Sequence, residues 1–176
     1  MSGYHFPGGG GGGSGSFGDP SASFEVTGSA VTTLSITGLP TTGRILWRYN
    51  IVNGSVSNCD YTTTDGLTGE QTIRSFALGG AFGSSTLNNI YFSSNFGSKQ
   101  VAGELTMFPD ISPGATNIYR SWFGWYYGFS TVAADSVHVT FSGLATDVAT
   151  ASTSSRLITA TQANGLGIGT VVDVWF

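Results

Sequence analysis

Hydrophobic and polar positions alternate along most of this chain. Over residues 44–52, Ile45, Trp47, Tyr49 and Ile51 fall on one side, while Arg48 and Asn50 fall on the other between Leu46 and Val52. A period of two is that of a half-buried β-strand, whose successive side chains point to opposite faces. The pattern returns at 100–108, where Val101, Leu105 and Met107 share a side with Gly103. It returns again at 136–141 (Val137, Val139, Phe141) and at 170–176 (Val172, Val174, Phe176). Shorter strands are predicted at 23–27, 31–36, 59–63, 71–77, 89–92 and 156–160. Gly38-Leu39-Pro40, Asn53-Gly54, Asp65-Gly66 and Gly79-Gly80 punctuate them as turns. Pro109 and Pro113 bracket a loop that a central strand would not tolerate. Residues 142–155 are rich in Ser, Thr and Ala without a clear period, and read as a long crossover loop or the site of one helical turn. No pattern supports a helix longer than about two turns.

The densest stretch is 119–129, Tyr-Arg-Ser-Trp-Phe-Gly-Trp-Tyr-Tyr-Gly-Phe, in which seven of eleven residues are aromatic. Laid out as a strand, it puts Tyr119, Phe123, Trp125, Tyr127 and Phe129 on one face. That face is expected to form the centre of the core. Trp122 and Tyr126 fall on the opposite face, separated by Gly124 and Gly128, and are the candidates for outward contact. They could fill the second side of a two-layer core or a subunit interface, where Tyr and Trp are enriched. They could also stack against the apolar face of a sugar ring. With turn signals at roughly ten-residue spacing, nine to eleven short strands predict an all-β fold, an antiparallel β-sandwich or jelly roll. The closing strand, ending at Trp175-Phe176, predicts a packed C-terminus.

Residues 1–20 form a separate segment. Nine of the first eighteen residues are glycine, including an unbroken run over 8–13. Such a run has too much backbone freedom to fold alone. The segment reads either as a flexible leader or as an extended arm that orders on another chain, with Tyr4, His5, Phe6 and Phe17 as its anchoring groups. Residues 21–176 then make one domain, long enough to bury a real core.

Composition narrows the setting. Only 9% of residues are charged, against roughly 25% in ordinary soluble domains. A surface covered by Ser, Thr, Asn and Gly suits a chain locked into an assembly or exposed outside a cell, and homo-oligomerisation is expected, with a trimer favoured because trimers are common among displayed β-sandwich domains. The net charge of −4 and the pI near 4.8 argue against a nucleic-acid partner, which asks for a basic face. The opening Met-Ser-Gly-Tyr-His-Phe-Pro has neither a basic region nor an apolar run, so no secretory signal is expected. No run approaches the roughly 18 apolar residues of a membrane span.

Candidate chemistry is sparse. Cys59 is the single cysteine, which excludes an internal disulfide and makes it a small core residue, a reactive thiol or one half of an intermolecular bridge. His138, between Val137 and Val139, has only Asp135 nearby in sequence, too little for a metal or a catalytic group, and reads as a surface histidine. Glu70, Glu104 and Asp110 lie on or near strands, but no spacing singles out the carboxylate pair a glycosidase needs. Gly165-Leu166-Gly167-Ile168-Gly169 is followed by a strand rather than a helix, so it reads as a turn and not a phosphate loop. No enzyme activity and no cofactor are expected.

Three segments carry a resemblance. They are Leu34-Ser35-Ile36-Thr37-Gly38-Leu39, Gly103-Glu104-Leu105-Thr106-Met107-Phe108-Pro109 and Gly169-Thr170-Val171-Val172-Asp173-Val174-Trp175. In this order, over about residues 34–176, the chain resembles a β-sandwich domain of tailed-phage virion proteins, found in tail fibres and head appendages, where a glycine-rich leader is common. The resemblance implies a non-enzymatic structural protein of a virion, made in the host cytoplasm, with capsid or tail subunits as partners. Two placements follow from it. One is a decoration or cement protein of the head, attached through its arm. The other is a tail- or head-fibre domain that binds host surface glycans.

Overall fold

The structure, a computed structural model, describes residues 18–55, 59–64, 71–78, 81–87, 90–93, 100–109, 118–129, 136–147 and 154–176. These contain twelve strands: β1 (Ala22–Glu25), β2 (Thr33–Thr37), β3 (Ile45–Val52), β4 (Tyr61–Thr64), β5 (Gln71–Leu78), β6 (Ala81–Leu87), β7 (Ile90–Ser93), β8 (Gln100–Phe108), β9 (Ile118–Phe129), β10 (Ser136–Asp147), β11 (Ser155–Ala160) and β12 (Val171–Trp175). Eight form one sheet in the order β1-β12-β3-β8-β9-β10-β5-β6, and four form a second in the order β2-β11-β4-β7. Neighbours pair antiparallel throughout. The fold is therefore an all-β sandwich, as the alternating pattern predicts. Residues 1–17 of the expected arm, with Tyr4, His5, Phe6 and Phe17, lie outside the described residues, as do Glu70 and Asp110.

The two sheets share one core. Ile36, Tyr61, Ile158 and Ala160 of the small sheet belong to the same buried cluster as Trp47, Leu105, Trp122 and Val174 of the large one. The expected inward set of β3, namely Ile45, Trp47, Tyr49 and Ile51, is buried throughout, as are Val101, Leu105 and Met107 of β8. Cys59 is a buried core residue. The glycine run at 165–169 is a turn into β12. Leu166 is buried there and exchanges both main-chain hydrogen bonds with Val31, while Gly169 takes a left-handed conformation (φ 85°).

Strand β9 is inverted relative to expectation. Trp122 and Tyr126 are 2% and 1% exposed, whereas Phe123 and Tyr127 are 54% and 41% exposed. The even-numbered face is the core face, and the odd-numbered aromatics of the described part point outward. The reason is size complementarity across strands. Gly124 stands opposite Leu105 of β8 and Phe141 of β10, and Gly103 stands opposite Tyr126. A Cβ on Gly124 would meet Phe141 Cζ at 2.6 Å, and one on Gly143 would run into the Trp122 indole. Gly124, which looks like a gap in β9, is a place filled by a neighbouring side chain. Trp122 and Tyr126 are thus interior groups of this chain rather than contacts for a partner or a sugar.

Three smaller differences have similar physical causes. Residues 142–147 continue β10 instead of opening a loop, because they pair with β9 to its start at Ile118. The stretch Ala81–Leu87, which lacks an alternating pattern, is a strand because it pairs with β5. Phe176 is exposed rather than packed, although its amide and carbonyl both engage the Ser21 hydroxyl.

Candidate binding face

The outward side of the large sheet is built from the polar side of β3 and β8 and the aromatic side of β9. Register aligns these residues in rows across the strands. One row runs Thr140, Trp125, Glu104, Arg48, Asp173 and Ser23. A second runs Ser142, Phe123, Thr106, Leu46 and Trp175. A third begins His138, Tyr127, Ala102 and Asn50. Opposite residues in neighbouring strands have side chains in direct reach.

The rows hold themselves in place. Arg48 Nε donates to Glu104 Oε1 at 2.8 Å, and its guanidinium lies 5.5 Å from the centre of the Trp175 ring. Both ionic side chains are partly exposed, so the pair orients groups more than it stabilises the fold. Ser23 donates to Asp173 Oδ1 at 2.6 Å. The exposed His138 ring sits 5.1 Å from Tyr127 and 6.1 Å from Trp125, and Phe108 lies 6.4 Å from Phe123. His138 is thus the surface histidine expected from its neighbours, and its contacts are aromatic.

Trp125 is anchored from beneath. Tyr49, on the core face of β3, reaches across Gly103 and donates its hydroxyl hydrogen to the Trp125 carbonyl at 3.3 Å. Only glycine permits this, since a Cβ at 103 would meet the Tyr49 hydroxyl oxygen at 2.5 Å. Burial holds the Tyr49 phenol well above its ordinary pKa, with the neighbouring Tyr126 and Glu104 adding to the effect. The hydroxyl therefore remains a donor at any physiological pH.

Between the first two rows lies an open groove of about 390 Å³, lined by Glu104, Thr106, Phe123, Trp125, Thr140 and Ser142. Gly124 and Phe141, partners in register, also line it. The groove brings two aromatic side chains, one carboxylate and three hydroxyls together on one sheet. Among the described residues no group of three or more His, Cys, Asp or Glu gathers, and no helix is long and apolar enough to cross a membrane.

Phe123, Trp125, Tyr127 and His138 are the groups that sequence reasoning missed as a site. A signal for them exists. With Val101, Gly103, Leu105 and Met107 directed inward on β8, the large-opposite-small rule favours the glycine-bearing face of β9 on the same side. At the edge of this face, Trp175 Nε1 donates to the Gly18 carbonyl at 2.7 Å, so the end of the 1–20 segment is tied to β12. Comparison with known proteins finds no matching family model, no similar curated protein and no similar solved structure.

Proposed function

We propose that this protein is a non-enzymatic accessory protein of a phage-like virion, a β-sandwich displayed on the particle, held by its N-terminal arm and making its outward contact through the large sheet. The observation that carries the reading is the outer face of that sheet. Phe123 and Tyr127, more than two-fifths exposed, share it with the partly exposed Trp125 at the middle of an eight-stranded layer. Exposed aromatics in a contiguous patch mark contact surfaces. The low charge of the chain, 9% of residues, fits a protein that works in an assembly. The virion setting rests on the resemblance of residues 34–176 described above.

A second reading, capsid cement in which a neighbouring subunit covers this face, is favoured by the same aromatics. The polar groups beside them favour display instead. A buried subunit contact would leave Glu104 and its surrounding hydroxyls desolvated, which is costly without partners. The test is co-sedimentation with virions. The full chain is expected to pellet with particles and the chain lacking residues 1–17 to stay in the supernatant. Equal pelleting of both would refute attachment through the arm.

A further inference from the structure

We infer that the groove between Phe123 and Trp125 is a carbohydrate site for an uncharged pyranose within a longer glycan; this rests on the display reading above and deepens it.

The lining leaves several polar groups unused. Glu104 Oε1 takes the Arg48 bond, while Oε2 has no partner among the described residues. The Trp125 indole N–H, the Thr106 hydroxyl and the Ser142 hydroxyl likewise have none. These groups surround two aromatic side chains that point out of the sheet. A ligand matching the groove must offer an apolar surface to the rings and several hydroxyls at its edge. A pyranose does both, since its axial C–H bonds make an apolar face and its equatorial hydroxyls form the rim. An apolar peptide would satisfy the rings and leave the carboxylate and hydroxyls dry.

Charge and shape narrow the class. Glu104 lies in the wall of the groove, and the chain carries a net charge of −4. An anionic sugar would meet a carboxylate at the position where it needs a cation. A neutral sugar meets an acceptor already oriented by Arg48. The groove, about 390 Å³ in volume, is open and lies across β8, β9 and β10. It is near the lower end of small-molecule sites, roughly 300–1,000 Å³. An open site of this size suits one or two rings with the rest of the glycan running out across the sheet. Affinity per site is then low, and useful binding comes from many copies on a particle.

The anchor under Trp125 is part of the site. The Tyr49 hydroxyl holds the Trp125 carbonyl at 3.3 Å through the gap at Gly103. This preorganises the indole before the sugar arrives.

Isothermal titration of the full chain with neutral cello-, malto-, chito- and galacto-tetrasaccharides, and with sialyllactose and oligogalacturonate as anionic counterparts, tests the proposal. At least one neutral series is expected to bind and the anionic ones are not. Phe123→Ala and Trp125→Ala are each expected to weaken binding about tenfold, the scale of a lost aromatic stacking contact. Leu157→Ser, exposed on the small sheet, is expected to change nothing. In the native chain, the bound sugar should shift the Trp125 indole N–H resonance, a readout that needs no variant to fold. Absence of binding by every neutral sugar, equal binding of the anionic ones, or binding unchanged in both alanine variants would overturn the site. Dissociation of an oligomer by Phe123→Ala without a sugar effect would assign the face to a second copy and overturn it too. Virion co-sedimentation is read separately. A chain that pellets with particles but binds no sugar loses this inference and keeps the display reading, and a chain that binds sugar but never pellets loses the display reading.

Discussion

Adjacent residues on β9 have opposite fates, and this is the sharpest feature at the scale of single side chains. Trp122 is 2% exposed with its indole over Gly143, while Phe123, one position on, is 54% exposed. Truncating a buried tryptophan removes its transfer energy and leaves a cavity. Trp122→Ala is therefore expected to cost about 3–5 kcal/mol in urea unfolding. Phe123→Ala is expected to stay within about 0.5 kcal/mol of the parent. The reverse order would show that the odd face is the core after all. Tyr61 gives a second prediction. It is a buried phenol that donates to the Gly165 carbonyl at 3.1 Å, and burial, with Cys59 and Asp60 nearby, raises its pKa far above that of an exposed tyrosine. Tyr49 shifts in the same direction. A raised pKa means the folded state holds the proton more tightly than the unfolded state. The stabilisation is complete below the unfolded value of about 10 and falls as pH rises beyond it. Thermal melts are expected to be insensitive to these groups up to about pH 9 and to drop steeply above pH 10. Tyr61→Phe should flatten that drop, at a cost of about 1 kcal/mol at neutral pH for the lost hydrogen bond.

At the scale of elements, alternation made β3 and β8 legible, because each has one apolar and one polar side and only one register buries the apolar side. Strand β9 was legible as a strand but not in its orientation. Both of its faces are aromatic, so its own pattern is degenerate and the decision lies with neighbours. The small residues make that decision. Gly103, Gly124 and Gly143 stand opposite Tyr126, Phe141 and Trp122 in the three central strands. Strand β6 was invisible because Ala-Phe-Gly-Ser-Ser-Thr-Leu has no alternation, and its pairing with β5 sets its structure. The candidate site stayed hidden for the same reason as the face: its residues are contributed by β8, β9 and β10, and only register brings Glu104, Trp125 and Thr140 into one row. Gly103→Ala tests the small-opposite-large principle. The added methyl runs into the Tyr49 hydroxyl and the Trp125 carbonyl. It is expected to cost about 1–3 kcal/mol by overpacking. It should also displace the Tyr49 hydrogen bond, moving the Trp125 indole resonance in the same variant. A stable Gly103→Ala protein with an unmoved Trp125 signal would mean that Tyr49 does not set the position of the groove wall.

The whole molecule combines a two-sheet sandwich with an outer face on which Phe123 and Tyr127 are exposed. The two properties separate stability from attachment. Among the described residues the large sheet begins at β1, paired with β12, and the Trp175 indole ties down the Gly18 carbonyl. Removing residues 1–17 is therefore expected to leave the melting temperature unchanged within the uncertainty of a calorimetric scan. Removing Gly18 and Ser21 as well takes away the Trp175 bond and the Ser21 contacts with Phe176, and is expected to lower it. If the arm is what holds the protein to its particle, the shorter truncation should abolish co-sedimentation with virions while preserving the sugar titration of the full chain, because the described lining of the groove comes from β8, β9 and β10. A truncation that lowers the melting temperature by several degrees would place part of the arm in the sandwich core. One that loses sugar binding with an unchanged melt would instead make the arm a wall of the groove. Each outcome moves a different part of the chain, so a single pair of truncations read by calorimetry, titration and sedimentation decides how fold, attachment and recognition are divided.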